Sequence, residues 1–92
     1  MSKIYVGDVG TEIVLDTQVD ISLAISVSII ARKPDGTHVT WNGVVTDGTS
    51  IKYITQVGDL DSAGKWLLQG GITSSAWTGH SEAVELEVFA LI

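Results

Sequence analysis

Two histidines, His38 and His80, are the first candidates for metal binding or catalysis. They lie in different segments of a 92-residue chain that contains no cysteine. Neither has a second ligand at the spacing of a zinc site. No G-x-S-x-G turn presents a serine as a nucleophile, and nothing selects one serine for a Ser-His-Asp triad. We therefore expect both histidines to be surface or strand-edge residues, and we predict no catalytic residues and no enzyme activity.

Two aspartates in the stretch D-L-D, Asp59 and Asp61, are the best candidates for a cation site. Together with Asp8 or Asp47 they could offer carboxylate oxygens to Ca²⁺. The same spacing arises when aspartates accept hydrogen bonds from backbone N–H groups in a turn. We favour turn capping, and we predict neither a metal nor a cofactor.

Glu85 and Glu87 lie on one face of a predicted strand. A glycosidase pair must flank a cleft, so an exposed edge or the rim of an interface explains these two acids better. Gly7 and Gly10 precede no helix, so no helix N-terminus is available to bind a phosphate group. The acidic and glycine-rich segments therefore indicate no reaction.

Aromatic and aliphatic side chains outside the predicted core indicate binding instead. Trp77 lies in a polar loop over 74–81, where it either plugs the end of the fold or anchors a partner protein or a sugar ring. Phe89 and Leu91 face outward on the last strand, and the mean hydropathy is +0.33. We predict Trp77, Phe89 and Leu91 to be interaction residues, with a homo-oligomer or another protein as partner. A carbohydrate-binding module using Trp77 and Trp41 is the alternative.

Charge and composition exclude several partners. Eleven acidic residues against five basic ones give a net charge of −6. No basic stripe is present, so nucleic acid is excluded as a direct ligand and anionic membrane surfaces are disfavoured. The lack of cysteine favours a reducing compartment, and the N-terminus shows neither the apolar region nor the cleavage site of a signal peptide. No apolar run is long enough to span a membrane.

The elements that must position these residues are short strands. Residues 24–32 alternate strictly, and their β-branched residues and serines disfavour a helix. Similar runs recur between turn signals, so we predict one all-β domain over 1–92, an antiparallel sandwich of seven or eight strands. The predicted strands cover 3–6, 12–15, 24–32, 37–41, 44–46, 51–55, a segment around Trp66, and 82–92, with Val84, Leu86, Val88 and Ala90 inward in the last.

The turns between these strands carry distinct signals. The segment K-P-D-G over 33–36 predicts a tight hairpin turn. Asn42-Gly43 predicts a type I′ hairpin, which needs positive φ at both positions. Asp20 is expected to cap a short helical turn before the third strand.

The central stretch is D-L-D-S-A-G-K-W-L-L-Q over 59–69. Gly64 can adopt positive φ there, and alternation then places Trp66 and Leu68 in the core. The stretch resembles the turn before strand F of immunoglobulin-like domains, with Trp66 in place of the usual tyrosine and Leu68 in place of the cysteine. The resemblance implies an immunoglobulin-like domain without the disulfide. It departs from the family in lacking the hydroxyl of the tyrosine corner.

A second resemblance covers most of the chain. The segments K-I-Y-V-G-D-V-G-T-E-I-V-L-D-T, R-K-P-D-G-T followed by Trp41, and Y-I-T-Q-V-G-D-L-D-S-A-G-K-W are similar to small phage and prophage proteins encoded among tail and baseplate genes. They also resemble the N-terminal β-domain of baseplate upper proteins. The resemblance implies a non-enzymatic virion component, made in the host cytoplasm and contacting other virion proteins or copies of itself. It carries over no functional residues.

Overall fold

The computed structural model describes residues 3–92. Met1 and Ser2, at the start of the predicted alternation, lie outside the described residues. Residues 3–92 form nine strands and no helix, which confirms the all-β prediction. The strands are β1 (Ile4–Tyr5), β2 (Glu12–Asp16), β3 (Ser26–Arg32), β4 (His38–Asn42), β5 (Val44–Thr46), β6 (Ser50–Ile54), β7 (Gly64–Thr73), β8 (Thr78–His80) and β9 (Val84–Phe89).

The strands form two sheets. The larger sheet has the order β1-β9-β7-β3-β4, with β8 also paired to β7, and the smaller sheet has the order β2-β6-β5. The neighbouring strands are antiparallel except at β1, which runs parallel to β9. The prediction of an antiparallel arrangement is therefore wrong at the β1 edge of the larger sheet, where the first and last strands run in the same direction.

Both sheets contribute to one core. In β2, Ile13 and Leu15 are buried while Glu12, Val14 and Asp16 are exposed, which is the period of two expected for a strand with one covered face. Trp66 is fully buried and Leu68 nearly so, as predicted. The other buried apolar side chains in this cluster are Ile21, Val27, Ile29, Ala31, Trp41, Ile51, Leu60, Ile72 and Val88.

The segment before β7 is held by several hydrogen bonds. The indole Nε1 of Trp66 donates to the backbone carbonyl of Ser62 at 3.0 Å. Asp59 accepts the backbone N–H of Gln56 at 2.7 Å, as the capping interpretation predicts. Asp61 does not repeat this pattern: its Oδ2 accepts from Lys33 Nζ at 2.8 Å and joins the segment to the 33–36 turn.

Glycine is required at the start of β7. Gly64 has φ 129°, as the positive φ prediction requires, and a Cβ there would lie 2.9 Å from Pro34 Cγ. The K-P-D-G turn forms as predicted, with Gly36 N–H donating to the Lys33 carbonyl at 2.9 Å. The turn and the segment before β7 therefore pack directly on each other.

The predicted hairpin at Asn42-Gly43 is wrong. Neither residue has positive φ, and the chain instead passes through Gly43 from β4 in the larger sheet to β5 in the smaller one. A Cβ on Gly43 would lie 2.5 Å from Ile51 Cγ2, so glycine is needed for close approach and not for a turn. The paired positive φ values occur at Asp47 and Gly48, 54° and 73°, which connect β5 to β6.

A bulge separates β8 from β9 along the same side of β7. Gly71 pairs with His80 and Leu68 with Val84, so three residues oppose two between these pairs. Ser81 bridges the bulge, because its Oγ accepts the N–H of Gly70 at 2.8 Å and its own N–H donates to the Gly70 carbonyl. The polar loop predicted over 74–81 is therefore only partly a loop, since it includes β8.

Two predicted strands also differ from the structure in detail. The strand predicted over 24–32 begins only at Ser26, so Ile25 precedes β3 and is exposed, whereas Val27, Ile29 and Ala31 are buried. In β9, Val88 is buried and Leu86 half-buried, but Val84 is exposed and Ala90 lies beyond the strand. β1 pairs only with Val88 and Phe89, so the Val84 end of β9 lies at an unpaired edge of the sheet beside the bulge, within the described residues.

Candidate interaction surfaces

Trp77 lies in the connection between β7 and β8. Ser74 shapes this connection: its N–H donates to the Trp77 carbonyl at 2.8 Å, and its Oγ accepts the N–H groups of Ala76 and Trp77 at 3.3 and 3.2 Å. A Cβ on Gly79 would lie 2.1 Å from the six-membered ring of Trp77, so the ring packs directly on the Gly79 backbone. Although the ring is held in this way, 44% of the residue stays exposed.

A cavity of about 220 Å³ lies beside Trp77, between the 20–24 segment and the 74–77 connection. Leu23 is 89% exposed at this cavity. Ile72 is a buried lining residue, while Ser75 adds a hydroxyl group. The cavity therefore combines an apolar wall with a few polar groups at its margin, a combination common in binding sites.

Asp20 supplies the only carboxylate that lines this cavity within the described residues. Its Oδ1 accepts the N–H and the hydroxyl of Ser22 at 2.9 and 2.7 Å, and these bonds lower the pKa of Asp20. The capping role predicted for Asp20 is confirmed, but the capped element is a single turn closed by Ala24 N–H to the Ile21 carbonyl, not a helical one. The cavity margin therefore carries a negative charge at neutral pH.

Phe89 and Leu91 lie far from Trp77. Val88 pairs with Gly64 at the start of β7, whereas Trp77 follows the end of that ten-residue strand, so about 30 Å of strand separates the two regions. Leu91 is exposed, but Phe89 is half-buried against Tyr5, with ring centroids 6.1 Å apart, and Lys3 Nζ lies 4.8 Å from its centroid. The predicted interaction residues thus belong to two separate surfaces.

Neither histidine forms an ion pair with a carboxylate of residues 3–92. One row across the larger sheet runs Glu85, Leu67, Arg32, His38, so three strand spacings, about 14 Å, separate Glu85 from His38. His80 pairs with Gly71 on β8 and is exposed. Within residues 3–92, no three side chains of the metal-binding types lie close enough to share an ion.

The outer face of the smaller sheet carries apolar residues that the sequence prediction did not include. Val14, Val44 and Ile54 are exposed there, at 51%, 58% and 39%. The signal was present in β2, where Ile13, Val14 and Leu15 form an uninterrupted apolar run, and an uninterrupted run indicates apolar side chains on both faces of a strand.

No known family matches this chain. Comparisons with protein-family models, with curated proteins and with solved structures each found no match. Residues 3–92 contain no helix of the length and apolar character that crossing a membrane requires.

Proposed function

We propose that this chain is a non-enzymatic interaction module with an immunoglobulin-like β-sandwich fold, acting as a structural component of a phage or prophage particle. Its binding surface is the end that carries Trp77, and its partner is a protein. The observation that carries this proposal is the Trp77 ring, packed on Gly79 yet exposed beside the cavity at Leu23.

The strand order supports the immunoglobulin-like assignment. The smaller sheet, β2-β6-β5, corresponds to strands B, E and D of such a domain, and β3, β7 and β9 correspond to C, F and G. The hydrogen bond from Trp66 to the Ser62 carbonyl takes the place of the tyrosine-corner bond, because the indole N–H also reaches backbone a few residues upstream. Leu68 then occupies the core position of the family's cysteine.

The location of Trp77 supports a binding role. Under this assignment the 17–25 and 74–77 connections correspond to the B–C and F–G loops, which lie at the binding end of variable-type immunoglobulin domains. A tryptophan offers a large rigid apolar surface, and such residues commonly dominate the binding energy of protein interfaces. The assignment to a phage or prophage particle rests on the sequence resemblance described above.

Carbohydrate binding is the second candidate, favoured by the polar margin of the same cavity. A sugar ring has an apolar face that stacks on tryptophan and hydroxyl groups that bond to carboxylates. Trp77 and Asp20 both line the cavity and offer these two kinds of contact. Trp41 takes no part, because it is buried between Tyr53 and Trp66, at centroid distances of 5.0 and 6.0 Å.

Binding measurements with Trp77 variants test the proposal. The products of neighbouring genes, purified singly, are titrated against the chain by calorimetry. Trp77→Ala should weaken binding of the partner by about 2 kcal/mol, roughly thirtyfold, since it removes a large apolar anchor. Gly79→Val should act in the same direction, because its side chain displaces the ring. Thr78→Ala, which changes an exposed neighbour, is the matched control.

Two outcomes would contradict the proposal. One is a partner whose affinity is unchanged by Trp77→Ala and Gly79→Val. The other is saturable quenching of tryptophan fluorescence by a defined oligosaccharide, lost in Trp77→Ala, with no protein partner among the neighbouring products. The second outcome would establish the carbohydrate alternative.

A further inference from the structure

The outer face of the smaller sheet is a second candidate surface. The register of β2, β6 and β5 aligns Val14, Lys52 and Val44 in one row, and Ile54 pairs with Glu12 in a neighbouring row. Three of these side chains are the exposed aliphatic residues described above. We call Val14, Val44, Ile54 and Lys52 the outer apolar face. It lies on regular strands and is therefore a rigid surface.

The charges around this face are of both signs. Lys52 lies at its centre, is half-buried, and forms no ion pair with any described residue of its own chain. Glu12 and Asp16 lie at the two ends of β2, two positions on either side of Val14, and both are exposed. The face thus presents one positive group between two negative ones. Val14, Val44 and Ile54 lie beside Lys52, whereas the row of Asp16 continues with the polar Ser50 and Thr46.

Pairing between copies along the β2 edge does not suit these residues. Antiparallel pairing of two β2 strands centred on Val14 would place Glu12 of one copy opposite Asp16 of the other. Like charges directly opposite each other destabilise a strand pair, and charged edge strands commonly prevent such pairing. The apolar surface is therefore better covered by face-to-face contact.

We propose that the outer apolar face is a two-fold interface with a second copy of this chain. In a two-fold interface the same patch meets itself. With the two-fold axis midway between Lys52 and its diagonal neighbour Glu12, Lys52 of each copy lies opposite Glu12 of the other, while Val14 and Ile54 pack against their counterparts. A second copy supplies a carboxylate to Lys52, which forms no ion pair with the described residues of its own chain. The inference does not depend on the proposed function, because Trp77 lies outside this face.

The adjoining surface extends the same contact. A shallow cavity of about 230 Å³ is lined by Ile25 and Val44, so the apolar surface continues from the smaller sheet toward the start of β3. Ile25 is exposed there. Its side chain would be covered at the margin of the two-fold contact, which extends the apolar area available for association.

Sedimentation equilibrium over a concentration series to about 1 mM tests this proposal. The wild-type chain should dimerise. Lys52→Glu should raise the dissociation constant roughly tenfold or more, because the new carboxylate would lie opposite a carboxylate of the other copy. Lys65→Glu is the matched control: it makes the same charge change at an exposed site on the larger sheet. Val44→Asn is an uncharged second variant, and circular dichroism checks that each variant is folded.

A charge-reversal mixture makes the test specific. The double variant Glu12→Lys with Asp16→Lys should also be weakened, because its face carries only positive charge. Mixed with the Lys52→Glu chain, it should form a heterodimer tighter than either variant's homodimer. A wild-type chain that stays monomeric at about 1 mM would overturn the proposal. So would a Lys65→Glu effect equal to that of Lys52→Glu, or a mixture that remains monomeric.

Discussion

At the scale of single residues, several aspartates stabilise turns. Asp20, Asp35 and Asp59 each accept a backbone N–H two or three residues away in sequence. Asp61 binds Lys33, so it and Asp59 have different partners. The calcium alternative is weakened accordingly, because the two carboxylates already accept hydrogen bonds in separate contacts.

Tyr53 gives a testable pH dependence. Burial and the hydrogen bond to Asp59 raise the pKa of Tyr53 to about 12, above the value near 10 of a free tyrosine. The folded state therefore favours the protonated phenol, which adds stability below about pH 10 that is lost as the pH rises toward about 12. Tyr53→Phe removes this contribution, so its free energy of unfolding should fall less over that pH range.

Urea unfolding of the two proteins at intervals across that range makes the comparison. Lysine residues lose their protons in both proteins over this range. The difference between the two free energies of unfolding therefore reports the ionisation of the Tyr53 phenol alone. Equal losses in Tyr53→Phe and in the wild-type chain would show that Tyr53 does not couple to folding.

At the scale of elements, two interruptions shape the fold. β4 and β5 are separated by Gly43 alone, where the chain leaves one sheet for the other. β8 and β9 are separated by the bulge at Ser81, which realigns the chain along β7. Local patterns predicted β4, β5 and β9, but they predicted neither the crossing between sheets at Gly43 nor the short strand β8 that follows Trp77.

Gly43→Ala tests the crossing between sheets. Its Cβ would lie 2.5 Å from Ile51 Cγ2 and 3.0 Å from the Lys52 carbonyl oxygen, so the buried β6 strand must shift. Overpacking of this kind lowers the free energy of unfolding by about 1–3 kcal/mol. Asn42→Ala, at the exposed neighbouring position, should change it by less than about 0.5 kcal/mol. Denaturant unfolding would measure the free energy of unfolding of both variants. Equally small changes in the two would contradict the close packing of Gly43 against β6.

At the scale of the whole molecule, the candidate surfaces are distributed over an elongated body of 47 × 25 × 20 Å. Trp77 lies near one end of β7, and Phe89 and Leu91 lie near the other. The outer apolar face lies on the smaller sheet, away from both. Three separate surfaces would allow one chain to contact several neighbours, which suits the building-block role proposed above.

Acid should unfold the molecule for both local and global reasons. Hydrogen bonds from Thr37 lower the pKa of Asp35, and the hydrogen bond from Lys33 lowers the pKa of Asp61. A lowered folded-state pKa adds stability above about pH 4 that is lost as the pH falls through the folded value. Protonating eleven acids also leaves five lysine and arginine charges with two histidines, so the chain becomes positively charged and repels itself.

We expect Asp61→Asn to be less stable than the wild type at neutral pH and to lose less stability below about pH 4. Thermal unfolding followed by circular dichroism at a series of pH values would show whether the two curves converge. Parallel curves would mean that Asp61 is not linked to folding.

Local patterns in the amino-acid order were enough for much of the fold. Strict alternation indicated β3, the K-P-D-G signal indicated its turn, and Gly64 and Trp66 indicated the start of β7 and its buried face. Each depends on neighbouring residues, whose φ preferences and side-chain period act over a few positions. These features are therefore readable without knowing what lies elsewhere in the chain.

Contacts between distant residues decided the rest. Asn42-Gly43 has the composition of a hairpin turn, but pairing of Val44 and Val45 with β6 and the close approach of Ile51 keep the chain extended there. The separation of Trp77 from Phe89 likewise follows from how β7 pairs with β8 and β9. Such choices depend on strand pairing and packing across long sequence distances, where the free energy of the whole core outweighs the preference of two residues.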